Sequence, residues 1–184
     1  FILLGLSSIA KAINPEREYR FTPDMRGLKY LEYKTKTTDN YLINVWEYQL
    51  SDSVKFDRII ILVGTDAGNM GRLIWQAKAF LDKRIKVIAF DYRGFGKSAD
   101  FEINRDFLFY NEYGLDLDSV IKTTREKYPT KKIGLYGMSM GTHISLLRKE
   151  KVDFMIAEGF YHNPQKVMER IKMNKNETVL LPTP

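Results

Sequence analysis

The sequence predicts an α/β domain: a mostly parallel sheet with helices on both faces and an antiparallel β-hairpin leading into it. Three observations carry the prediction. Short runs that are almost wholly apolar recur along the chain, as strands buried on both faces require. Segments with apolar residues at helical spacing separate those runs. Strands alternating with helices in this way imply right-handed crossovers and parallel pairing.

The elements follow in order. After a polar, proline-containing stretch to about Arg26, residues 28–35 and 41–48 alternate and are rich in aromatic and β-branched side chains. Thr38, Asp39 and Asn40 supply the turn of a hairpin between them. Residues 58–63 form the first apolar run, and the glycine-rich turn 64–71 leads into a helix with Leu73, Ile74, Ala77, Phe80 and Leu81 on one face. Residues 85–90 make the second buried strand. Tyr113, Leu117, Val120, Ile121 and Thr124 keep helical spacing until Tyr128-Pro129, where the proline ends the helix. Residues 132–136 read as the third parallel strand, followed after Ser139 by a helix with Ile144 and Leu147 inward, and residues 152–157 as the fourth. Beyond these, residues 167–171 read as helix and residues 178–181 as the start of another strand.

Composition narrows the function classes. A chain of 184 residues with 44% hydrophobic and 28% charged residues suits one folded domain and argues against wholesale disorder. The net charge of +6 is scattered, with no basic run beyond pairs such as Lys131-Lys132, so the clustered footprint of a nucleic-acid binder is missing. No cysteine is present, which removes disulfides, thiolate metal sites and a Cys nucleophile while leaving the compartment open. No His/Asp/Glu cluster has ligand spacing, so neither a metal nor a cofactor is implied.

Both ends look cut. Residues 1–6 are apolar and are followed by small residues and Ala10-Lys11-Ala12, which reads as the tail of a secretory signal peptide. Residues 1–12 are therefore expected to be a leader remnant and residues 13–184 a partial domain. Export to the periplasm or medium follows from that reading. A core or anchor helix at the same place would leave the protein cytoplasmic or tethered, and the run is too short to span a bilayer.

Gly137-Met138-Ser139-Met140-Gly141 stands directly after an apolar strand and directly before a helix. In that setting Gly-x-Ser-x-Gly is a nucleophile elbow: a sharp turn lifts the hydroxyl above the sheet edge, and the glycines give room where a Cβ would strike a neighbour. With the hairpin, the Gly64-Thr65-Asp66-Ala67-Gly68-Asn69-Met70 loop and the Asp91-Tyr92-Arg93-Gly94-Phe95-Gly96-Lys97-Ser98 run, all in the same order, residues 28–164 resemble the α/β-hydrolase superfamily in its esterase-like or peptidase-like branch. The resemblance implies Ser139 as nucleophile of a hydrolase that cleaves an ester, thioester or peptide-like acyl bond. It implies an oxyanion hole built from the backbone N–H of Met140 and a second N–H from the 64–70 loop, at Asp66 with Thr65 as the alternative. It further implies that Asp91 and Arg93 buttress the site. Relatives commonly carry His-Gly where this chain has Gly64-Thr65, and an Asp66 carboxylate aimed at the site would oppose an oxyanion.

A serine needs a general base, and this fold supplies it in the order Ser, acid, His. Only His143 and His162 are present. His143 lies one turn beyond the serine, where side chains usually pack; His162 follows the fourth strand at the correct edge, and Glu158 ends that strand as a possible acid. The expectation is that acid and histidine lie beyond Pro184, so that residues 1–184 alone are inactive. Two rival readings stand beside this one: an inactive hydrolase-like domain that binds a partner, and a dinucleotide-binding fold with Asp91 as ribose ligand. The second has its glycines at the wrong spacing, and Pro129 interrupts a Tyr128/Lys132 dehydrogenase-like pair. Asn176-Glu177-Thr178 matches a glycosylation pattern of a kind that arises often by chance.

Overall fold

The structure is a computed structural model that describes residues 12–51, 53–160, 163–175 and 180–182. Chain order runs β1 (Asn14–Pro15), β2 (Tyr30–Lys36), β3 (Leu42–Tyr48), β4 (Arg58–Val63), β5 (Ala67–Gly68), α1 (Ile74–Leu81) and β6 (Lys86–Phe90). It continues through α2 (Glu112–Lys127), β7 (Lys132–Met138), α3 (Met140–Leu147), β8 (Phe154–Glu158) and α4 (Pro164–Lys175). Short 3-10 turns occupy Pro23–Arg26 and Met70–Leu73.

Strand periodicity decides what lies on each face. Along β4, Ile59, Ile61 and Val63 join one core with Ile88, Ile133 and Leu135, covered by Leu117, Val120 and Ile121 of α2 and Ile144 of α3. Ile60 and Leu62 point the other way, into a second core with Trp46, Val87, Ala89 and Ala77 of α1. The large sheet has the order β2-β3-β6-β4-β7-β8. β4 pairs in parallel with β6 and β7, β7 with β8, and the β2–β3 hairpin joins β6 antiparallel. This is the predicted architecture.

Several boundaries move, each for a local reason. The first hairpin strand starts at Tyr30 rather than at residue 28, because the Leu28 N–H donates to the Pro23 carbonyl (3.0 Å) and closes the 3-10 turn capped by Gly27. β7 runs on to Met138, since Gly137 still pairs with Val63 and Met138 with Glu158. β8 begins at Phe154, where Asp153 brackets Ile133 with a backbone N–H (2.8 Å) and a side-chain acceptor (2.7 Å). The stretch 13–19, read as a connection, pairs instead: β1 lies parallel to β5 and forms a second, two-stranded sheet over the 64–70 loop. Near the end, Leu180 makes an isolated parallel bridge to Phe107. His162, residues 176–179 and the leader reading apart from Ala12 fall outside the described residues.

At the amino edge of the sheet a buried ion pair ties three elements. Glu47 is 1% exposed and meets Lys86 at 3.0 Å, Lys127 at 2.6 Å and the Tyr128 hydroxyl at 2.6 Å. Burial alone would raise the Glu47 pKa, but hydrogen bonds from Lys127, Tyr128 and Lys86 outweigh it and hold the carboxyl at about 2. A depressed folded pKa contributes stability above the unfolded carboxyl range, lost as pH falls toward 2. Removing one partner of a buried pair is costly, so Lys86→Met is expected to lose about 3 kcal/mol, read as a lower urea midpoint at unchanged slope.

Candidate active site

The site starts with a steric fact. The first turn of α3 lies so close to the end of β4 that a Cβ on Gly141 would overlap the Val63 carbonyl oxygen and come within 2.6 Å of the Gly64 carbonyl oxygen. A Cβ on Gly137 would lie 2.8 Å from the Gly141 carbonyl oxygen. To turn from β7 into α3 within that space, the chain takes Ser139 through φ 51° and ψ −117°. For a non-glycine residue this conformation carries strain of about 1–3 kcal/mol.

Neighbours hold the strained residue by its backbone. The Ser139 N–H donates to the Glu158 carbonyl at 2.9 Å. The Ser139 carbonyl accepts the Thr142 N–H at 2.9 Å and the Thr142 hydroxyl at 2.7 Å. The residue is half-buried, and its own hydroxyl hydrogen-bonds none of the described residues. Met140, whose N–H is the first of α3, follows immediately.

The contact at Gly141 sets this helix N-terminus against the start of the 64–70 loop. There the Thr65 hydroxyl donates to the Ala67 carbonyl (3.1 Å), and the Asp66 carbonyl accepts the Asn14 N–H (2.8 Å). Among the described residues no backbone acceptor takes the N–H of Thr65, Asp66 or Met140. These N–H groups stand at the α3 N-terminus and in the 64–70 loop, two elements that meet where Gly141 packs against the Val63 and Gly64 carbonyls. Burial raises the Asp66 carboxyl above its ordinary pKa. A cavity of about 180 Å³ opens beside the loop, lined by Gly64, Thr65, Met70, Tyr92 and Met138 among others.

The Asp91–Ser98 run supports the loop from below. Asp91 is 1% exposed and accepts the Met70 N–H (2.7 Å) and the Tyr19 hydroxyl. The Ser98 hydroxyl donates to the Asp91 carbonyl (2.7 Å) and accepts the Asn44 N–H (2.8 Å). Arg93, also 1% exposed, is gripped by Asp116 (2.7 Å) and Asp39 (2.6 Å) and stacks on Tyr41 at 4.0 Å. Burial alone would lower its pKa; the two carboxylates outweigh that and keep it charged. Asp91 and Arg93 are thus buttresses, and Asp91 is not open to a ribose.

Of the residues weighed as base or acid, His143 sits in α3 with its ring 4.2 Å from that of Phe109, and burial lowers its pKa toward the neutral form. The Glu158 carboxylate is engaged by the Tyr136 hydroxyl across the β7–β8 pair. The Tyr128 hydroxyl is spent on Glu47, while Lys132 opens β7, so the dehydrogenase-like pair shares no helix face. Sequence reasoning missed Tyr19 and Asn69. The Asn69 side chain caps the Met70–Leu73 turn by accepting the Gly71 N–H (3.1 Å), and its amide donates to the Glu18 carbonyl (2.7 Å). The Asn-x-Gly spacing was a legible cap signal; nothing marked Tyr19.

A family model described as serine aminopeptidase, S33, matches residues 55–164. The chain belongs to that family. Among solved structures, this S33-family chain is similar to an esterase of Pyrococcus furiosus, at 25% identity and TM-score 0.57, over 73% of this chain and 49% of that one. A thermostable carboxyl esterase of Bacillus coagulans is 20% identical with TM-score 0.61, over 78% and 49% of the two chains. A lidless serine hydrolase of Xanthomonas campestris is 16% identical with TM-score 0.55, over 83% of both. The chain spans about half the length of the first two. No curated protein matches it. Its fold is that of an α/β-hydrolase domain.

Two predictions follow from this geometry. Gly141→Ala puts a methyl group into the Val63 carbonyl and is expected to cost more than about 3 kcal/mol, seen as a large fall in melting temperature or as insoluble protein. Burial raises the Asp91 carboxyl to about 6, against the hydrogen bonds from Tyr19 and Met70. Because the folded pKa exceeds the unfolded one, its stabilising share is complete below about pH 4 and is lost as pH rises through 6. The stability difference between the parent chain and Asp91→Asn should therefore shift by about 2 kcal/mol against the parent between those pH values, measured by urea titration at each pH.

Proposed function

We propose that this chain supplies the nucleophile, Ser139, of a serine hydrolase acting on an ester, thioester or peptide-like acyl bond. The Ser139 hydroxyl oxygen attacks the carbonyl carbon, and the carbonyl oxygen takes the negative charge. The Met140 N–H and the N–H of Asp66, or of Thr65 beside it, receive that oxyanion. A histidine takes the serine proton and returns it to the leaving group; water then releases the acyl group by the same route reversed. The base and acid are assigned to none of the described residues.

One observation carries the reading: a serine held at positive φ, its hydroxyl bonded to none of the described residues, at the N-terminus of a helix pressed against the start of the 64–70 loop. A structural serine would gain nothing from the strain. The family match and the esterase neighbours support hydrolysis as the reaction type.

Fluorophosphonate labelling tests the proposal. The protein carrying its acid and histidine is expected to take one adduct, and its Ser139→Ala variant to lower labelling by at least about a hundredfold while circular dichroism stays unchanged. Equal labelling of the two would remove Ser139 from the mechanism. Absence of labelling in the parent protein would favour a hydrolase-like domain without catalysis.

A further inference from the structure

A second cavity, of about 420 Å³, lies on the outer side of the Asn69–Arg72 turn. Its wall carries three guanidinium groups, Arg20, Arg26 and Arg72, against one carboxylate, Glu16, with Phe21 and Trp75 beside them. Two of the three cations touch the wall itself. Arg72 passes over Gly68, where a Cβ would overlap its side chain, and meets Glu16 at 2.7 Å. Arg26 lies over the Trp75 ring at 4.5 Å, and no carboxylate among the described residues pairs with it. Arg20 shares the same Glu16 oxygen at 3.2 Å.

The contact with the Trp75 ring leaves the Arg26 N–H groups without a carboxylate partner among the described residues. The edge of a guanidinium matches the two oxygens of a carboxylate or phosphate. The apolar part of the wall is open as well: Trp75 is 59% and Phe21 49% exposed, so both rings are accessible to a ligand. Asn69 and Arg72 also line the cavity that reaches Thr65 and Met138, so the two spaces are separated by one turn of chain.

We propose that this cavity is a subsite for the anionic end of the acyl substrate: a carboxylate or phosphate borne on a flat apolar body. The anion sits against Arg26 and Arg72, and the body lies along Trp75 and Phe21. The inference rests on the hydrolase reading above, yet binding at the subsite needs no catalysis and can be tested apart from it.

The test titrates the full chain with phenyl phosphate, with phenol as the uncharged ring, following tryptophan fluorescence. Trp46 is 1% exposed, so a saturable change reports Trp75. Phenyl phosphate is expected to bind saturably and phenol not to. Arg26→Gln should weaken phenyl phosphate by about tenfold with an unchanged melting temperature, because the side chain makes no ion pair to lose. Added salt should weaken it as well. Ser139→Ala should bind as the parent does. Phenyl phosphate binding no better than phenol, or equal binding to the Arg26→Gln chain, would overturn the subsite and leave fluorophosphonate labelling of Ser139 untouched. Normal subsite binding with no labelling would overturn the nucleophile instead.

Discussion

The absence of room between the first turn of α3 and the end of β4 is the constraint on which the site depends. A helix cannot leave a parallel strand and press that closely on its neighbour if residue 141 carries a Cβ. With glycine there, the chain turns within one residue, and that residue is forced to positive φ. The strain is local and the compensation is not. Ladder bonds between β7 and β8 hold one side of Ser139, the helix N-terminus holds the other, and two apolar cores fix the strands that carry both.

A second layer of order lies beneath the loop that faces the serine. Three segments far apart in sequence meet at Asp91: the Met70 N–H, the Tyr19 hydroxyl and, through Ser98, the hairpin residue Asn44. A buried carboxyl with converging donors specifies position better than apolar packing does, because each donor must find its acceptor or be left unsatisfied. Residues 13–19 then cross the loop from outside and pair with it through β1. The 64–70 loop is held on two sides, and its amide groups gain fixed directions from that.

Much of this was legible in the sequence. Continuous apolar runs gave β4, β6 and β7 to within two residues, since a strand buried on both faces leaves little freedom in composition. The elbow was legible because sterics dictate glycine at two fixed spacings. Asp91 and Arg93 were read as supports, and their partners bear this out. What escaped was long-range: Tyr19 reaches Asp91 across 72 positions, and Glu16, Arg20 and Arg26 meet Arg72 only after the chain has folded. Residues 13–19 have the polar look of a connection because their value lies in backbone pairing, which composition does not record.

The role proposed for the strained turn at residue 139 is to present an oxygen to an acyl carbon beside two amide donors. A crystal structure of the phosphonate adduct tests it. Phosphorus is expected bonded to Ser139 Oγ, with the phosphoryl oxygen within hydrogen-bonding distance of the Met140 N–H and of an N–H at Thr65 or Asp66. Phosphorus on another residue, or a phosphoryl oxygen turned away from both donors, would contradict it.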